Sequence, residues 1–340
     1  MLLEEPKPTL NEWKTLFDLF FEIDQQAPWQ LVEADQLFAI RATDGGQETV
    51  VALSFAQADR LVALIGSESI QQFFMAEENE ADLRSELERQ IYRLSMTWTA
   101  HNLLEADEQK RFDGFKIRPV DQQLPSFRSH RPGFVPHPLT SREARLLVML
   151  LTRLQAALPA IEAKVIKLPH FASRHLWIET WEAGAWYGSI ESLQKLPYRP
   201  VEVIVDREVI EFLQKRAQTP MTVEVDCSVF DGLAVGDGDE RPITPYGLML
   251  VDPRSSSVLA TEVLDPSDGL RELWAAVPNM ILFKLAEQQL RPERMRMTSP
   301  LLHQIFEPYA AKLDIELELV DEMPALNHAK RAFMHYIADN

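Results

Sequence analysis

The stretch Thr222–Gly232 reads TVEVDCSVFDG. Val223 and Val225 alternate with Glu224 and Asp226, the pattern of a strand with only one face buried. The strand delivers Asp226 toward a Gly- and Asp-rich run, DGLAVGDGDE. Asp226 is therefore either a functional carboxylate or the polar end of an ordinary strand, and the elements downstream of it bear on the choice. Strands are expected at 222–230, 246–252, 257–264, 293–298 and 315–320. Helices are expected at 268–290, 299–313 and 323–338.

Upstream, TLNEWKTLFDLFFEIDQQ opens with Thr9 and Glu12 in capping-box spacing, and Trp13, Leu16, Phe17, Phe20 and Phe21 then recur at helical intervals. APWQLVEADQLFAIRATDGGQETVVALSF reads as a hairpin turning at Gly45–Gly46. QADRLVALIGSESIQQFFM reads as helical pieces broken at Gly66, and EENEADLRSELERQ as a solvated acidic face. The prolines of Pro119–Pro138 mark an extended linker. Thr140 and Glu143 then box the start of a helix whose buried stripe is Leu147, Leu150, Leu151, Leu154 and Leu158. HLWIETWEAGAWYGSIESL reads as a hairpin about Ala183–Gly184, and RPVEVIVDREVIEFLQKRAQ as a strand and a helix. The ungapped echo of 199–213 in 291–305 pairs Val203 with Met295, Val205 with Met297, Val209 with Leu301, Ile210 with Leu302 and Leu213 with Ile305. Duplication and two independent β–α units explain it equally well.

These elements divide the chain into an α+β domain (1–118), a proline-rich linker with its capped helix (119–160) and an α/β region (161–340). The last comprises a hairpin and β–α unit (161–220) and a final block (221–340) with a mixed sheet. The net charge of −18 disfavours broad binding to phosphate backbones. One cysteine, Cys227, leaves no intrachain disulfide and fits a small core residue in a reducing compartment. The start MLLEEPKPTLNEW lacks a basic, then apolar, leader pattern, and no run of about 18 apolar residues occurs. A cytoplasmic protein with protein partners and no membrane is the expectation, with nucleic acid the disfavoured partner and a local basic patch left open to it.

Three phrases carry a resemblance: APWQLVEADQLFAI with its glycine turn, LPSFRSHRPGFVP, and RPERMRMTSPLLHQIFEPYAAKLDIELELVDEMPALNHAKRAF. They resemble a bacterial family built of two domains of unknown function. The resemblance implies a two-part architecture and a prokaryotic origin, and no chemistry.

The element order of 221–340 looks like the ribonuclease-H-like fold, whose enzymes bring three or four carboxylates to two divalent metals. That likeness implies Asp226 as the first carboxylate and Asp268 or Glu272 as the second. At the third position stand Thr298 and Ser299, and the last helix offers Asn327 and His328. Hydroxyls and an amide lack the charge that holds Mg²⁺. Asp206, ending the echo strand, is the one further carboxylate that could complete a set. The preferred expectation is a non-catalytic protein acting through protein interactions, with no metal or cofactor and with Asp226 held by hydroxyl or backbone donors. The alternative is a metal-dependent phosphodiesterase or nuclease. His170 with His175, and His328 with His335, are read as surface or core histidines. Arg128, His130 and Arg131 beside Phe127 and Phe134 are read as packing the linker in preference to binding an anion or a nucleic-acid strand. Arg291, Arg294 and Arg296 are expected to face solvent.

Overall fold

The computed structural model describes residues 6–44, 46–57, 60–78, 84, 87–193, 201–230, 232–236 and 241–338. Two compact units emerge, Met1–Arg131 with Pro136–Pro197, and Pro132–Val135 with Tyr198–Asn340.

The first unit is built on seven strands: β1 (Leu37–Asp44), β2 (Gln47–Gln57), β3 (Arg60–Ile65), β4 (Arg93–Ala100), β5 (Gln123–His130), β6 (His175–Glu182) and β7 (Ala185–Ser192). Their order is β5-β4-β3-β2-β1-β6-β7. Neighbours are antiparallel except β1 and β6, which run parallel. Helix α1 (Leu10–Gln26) starts where Thr9 Oγ1 accepts from Glu12 N–H and Glu12 Oε2 accepts from Thr9 N–H. Trp13, Leu16, Phe17 and Phe20 are buried and Phe21 is half-buried against the same core. Helix α4 (Ser141–Glu162) lies against α1, β1 and β2, with Leu147, Leu150, Leu151, Leu154 and Leu158 all buried. By length and composition α4 could cross a membrane, and half of its apolar window is buried within the fold. Helix α2 (Gly66–Glu77) covers the opposite face, where Ile70 and Phe74 meet Leu37, Ala39 and Leu64. Helix α3 (Ala106–Phe115) adds Phe112 to the larger core.

The second unit has strands β8 (Thr219–Val229), β9 (Tyr246–Asp252), β10 (Ser257–Leu264), β11 (Pro292–Met297) and β12 (Glu316–Leu319), in the order β10-β9-β8-β11-β12. Counted within the unit this is 3-2-1-4-5, with the second strand antiparallel to the other four. Helices α5 (Arg207–Gln214), α6 (Leu270–Glu287) and α7 (Pro300–Lys312) share one face, and α8 (Pro324–Ala338) lies on the other against β8 and β9. Strand periodicity sorts the side chains. Val223, Val225 and Cys227 join Leu248 and Leu250 in the core under α6 and α7. Met249 and Val251 join Met323, Leu326 and Ala329 under α8.

Several expectations are corrected. The 119–160 segment is not a linker: β5 and α4 are integral to the first unit. Pro125 is tolerated in β5 because an edge strand leaves one side of its backbone unpaired. The hairpin 175–192 belongs to the first sheet, through pairing of β6 with β1. RLVALI, read as helical, is β3, held between β2 and β4. Residues 201–206 form no strand: Val201 and Val205 pack on the second core, Ile204 points outward, and among the described residues no ladder partner lies alongside. The echo with 291–305 therefore joins an unpaired segment to a true strand, β11. Gly45 and most of the acidic run after Glu78 lie outside the described residues.

Candidate functional site

Strand β8 is central in its sheet, and Asp226 stands directly across from Met249 of β9. Because Val223, Val225 and Cys227 take the α6/α7 side, Glu224, Asp226 and Ser228 must face α8. The expectation of one buried face is corrected here: α8 removes the carboxylates of Glu224 and Asp226 from water as well, and each is answered by a group of that helix. Leu326 N–H, in the first turn of α8, donates to Glu224 Oε2 at 2.9 Å. That amide would otherwise be orphaned, and the positive end of the helix dipole adds to the attraction. One turn on, Lys330 Nζ donates to Asp226 Oδ2 and, at 2.8 Å, to Ser228 Oγ. The Asp226 side chain is 7% exposed and that of Lys330 24%. Asp226 is thus held by an ammonium, not by the hydroxyl or backbone donors expected from the sequence.

The neighbouring groups extend this polar face. Arg296 of β11 stands across from Glu224 and bonds Glu318 of β12 at 2.6 Å. Beyond Ser228 the strand is sealed by apolar packing. The Phe230 ring lies on Gly247, where any side chain would overlap it, and meets Phe333 of α8 at a centroid distance of 5.2 Å.

The other candidate carboxylates have separate positions. Asp206 caps α5, its Oδ1 accepting from Glu208 N–H at 2.8 Å. Asp268 is exposed in the turn before α6, and Glu272 is exposed in the first turn of that helix, its carboxylate folded back over Gly269. Thr298 follows β11, and Ser299 caps α7 by accepting from Leu302 N–H at 3.2 Å. Asn327, His328 and His335 are exposed on α8. Among the described residues, Asp206, Asp226, Asp268 and Glu272 contribute no group of three acidic or histidine side chains with ligand atoms within 4.8 Å of one another.

Lys330 is the residue that sequence reasoning missed. Met323, Leu326 and Ala329 mark the buried stripe of α8, and Lys330, four residues after Leu326, falls on the same side. A lysine on a buried stripe signals a carboxylate opposite, and the alternation of β8 points Asp226 that way.

In the first unit the basic residues of the FRSHR motif are turned to internal partners. Arg128 forks onto Glu108 at 2.5 and 2.6 Å. His130 Nε2 is 2.9 Å from Ser95 Oγ. Arg131 donates to Glu143 Oε1 at 2.9 and 3.1 Å. Glu143 also accepts from Tyr92 and Ser129 hydroxyls, each at 2.6 Å, and from Thr140 N–H at 2.8 Å. Burial alone would raise the Glu143 pKa, but the Arg131 charge and these donors hold it below the usual carboxylate value. Burial, with Glu143 beside it, pushes the Tyr92 phenol upward. In the second unit Arg291, expected to face solvent, is mostly buried and donates to Leu313 O at 2.7 Å, while Arg294 and Arg296 are partly exposed.

Residues 13–177 match the family model described as Domain of unknown function (DUF7309), and residues 209–334 match Domain of unknown function (DUF6930). No curated protein and no solved structure matches the chain. The chain is a two-domain protein in which a DUF7309 domain precedes a DUF6930 domain.

Proposed function

We propose that this protein works by binding protein partners, and that its second domain is a ribonuclease-H-like scaffold whose central carboxylate is neutralised from within. The 3-2-1-4-5 strand order, with its antiparallel second strand and a helix after each of the last three, supports the fold assignment. The observation that carries the functional reading is the bonding of Lys330 to both Asp226 and Ser228. Two-metal phosphoryl transfer requires several anionic oxygens aimed at one point. Here one carboxylate is matched by one ammonium, a second is bound by a helix amide, and the third position offers only the hydroxyls of Thr298 and Ser299. The donor set does not fit a pair of divalent ions, and no catalytic step is derived through them.

A role in protein binding is supported by the outer hairpin of the first sheet. Trp181 and Ile190 on one face of the hairpin and Tyr187 on the other are each more than half exposed there, which leaves large apolar side chains for a partner to cover. The lone cysteine, buried on β8, supports a reducing, cytoplasmic setting.

The test is hydrolysis of bis(p-nitrophenyl) phosphate and of single-stranded DNA and RNA by the full chain with Mg²⁺ or Mn²⁺. No turnover above that of an Asp226→Asn variant is expected. Turnover that this variant abolishes would establish the phosphodiesterase alternative.

A further inference from the structure

Away from the second domain, the first brings together a mixed set of metal-ligating side chains. Glu33, Asp35 and His170 each offer a ligand atom, and all three atoms lie within 4.8 Å of one another. His170 Nδ1 is 3.0 and 3.1 Å from the two Asp35 oxygens. The topology explains the meeting. Strands β1 and β6 run parallel as neighbours, so the segments leading into them arrive at the same end of the sheet. Glu33 and Asp35 precede β1, and His170 precedes β6. Gln36 and His170 form an antiparallel bridge, Phe171 N–H donates to Asp35 O at 2.8 Å, and the Gln36 amide donates to Leu168 O at 2.9 Å. Two segments about 135 residues apart in the chain are thereby fixed at the backbone, independently of the three side chains.

The charge is unbalanced. Two carboxylates face one imidazole, and among the described residues no lysine or arginine forms an ion pair with either acid. Both side chains of the His170–Asp35 pair are substantially exposed, so an ion from solvent can reach them.

We propose that Glu33, Asp35 and His170 form a binding site for one divalent first-row transition ion, with Zn²⁺ as the representative ion and water completing the coordination. One imidazole with two carboxylates is a borderline donor set that favours such ions over Mg²⁺. The spacing fits: ligand atoms around a tetrahedral ion with bonds of about 2.1 Å lie about 3.4 Å apart. The His170–Asp35 separation is already near that value, and small side-chain rotations bring Glu33 in. The role assigned is structural, a clasp across the entry segments of two strands far apart in sequence.

The experiment is calorimetric titration of the metal-free full-length protein with Zn²⁺ and, separately, with Mg²⁺. Visible absorption of bound Co²⁺ reports whether an imidazole and carboxylates coordinate it. One saturable Zn²⁺ site is expected, with Mg²⁺ binding at least about tenfold weaker. His170→Ala and the Glu33→Gln/Asp35→Asn double variant should each weaken Zn²⁺ binding at least about tenfold and alter the Co²⁺ spectrum. All three residues lie at the surface, so metal-free melting temperatures of the variants matching the parent establish that each is folded. Should a variant be unfolded, His170→Gln replaces it. Absence of saturable Zn²⁺ binding overturns the proposal, as does Zn²⁺ binding that His170→Ala leaves intact. Neither result depends on Asp226 or Lys330.

Discussion

The two domains satisfy their buried carboxylates by different means. In the seven-stranded domain every one among the described residues is met by arginine: Glu143 by Arg131, Glu108 by Arg128 and Glu179 by Arg153. The planar guanidinium supplies several donors in fixed directions, so one arginine can hold both oxygens of a carboxylate while its charge remains near the surface. In the five-stranded domain the same task falls to the last helix, which offers a backbone amide to Glu224 and a lysine to Asp226. A lysine ammonium is a single charged point on a flexible stem. The first arrangement fixes geometry, and the second chiefly neutralises charge. Glu143 should therefore be the more demanding site to disturb.

That ranking is open to attack by substitution. Glu143→Ala strands Arg131, Tyr92, Ser129 and Thr140 N–H together, and loss of about 3–5 kcal/mol in urea unfolding is expected. The same residue gives a pH test. Its pKa is depressed in the folded chain, so its contribution is present above the unfolded carboxylate value of about 4.3 and is lost as pH falls through the lower folded value. The stability gap between the parent and Glu143→Gln should accordingly close on acidification. A gap that persists unchanged into strong acid would contradict the assignment.

Lys330→Met should cost less, about 2–3 kcal/mol, because the pair it breaks lies partly at the surface. Asp226→Asn should cost about 1 kcal/mol, since Lys330 can turn to water while Asp226 cannot. Combining Asp226→Leu with Lys330→Met should recover stability relative to Lys330→Met alone. Additive losses would mean that the two residues do not act as a pair. Thr140→Ala removes one half of the α4 capping box and should likewise cost about 1 kcal/mol.

The sequence exposed local periodicity well and long-range pairing poorly. The elements from β8 to α8 lie within a few residues of their expected bounds, because each alternates or repeats strongly and is closed by a turn or a cap. Thr140 caps α4 as expected, since a capping box is complete within four residues. What the sequence concealed depended on partners distant in the chain. Arg-Leu-Val-Ala-Leu-Ile became a strand because β2 and β4 lie on either side of it. Residues 201–206, with better alternation, found no partner among the described residues and formed no strand. Prolines signalled a linker at 119–138, where an edge strand accommodates Pro125. The position of Asp226 was legible from alternation alone. Its partner was not, because Lys330 is 104 residues away and its role depends on which face of the sheet α8 covers.

The claim that Lys330 stands in for a metal at Asp226 is tested most directly by melting the parent and Asp226→Asn with and without millimolar Mg²⁺. A genuine site held far above its dissociation constant would add about 2–3 kcal/mol by mass action. With Asp226 already paired, no shift that depends on Asp226 is expected, and the parent and Asp226→Asn should respond to Mg²⁺ alike. A rise of several degrees in the parent that Asp226→Asn abolishes would contradict the claim and identify Asp226 as a metal ligand.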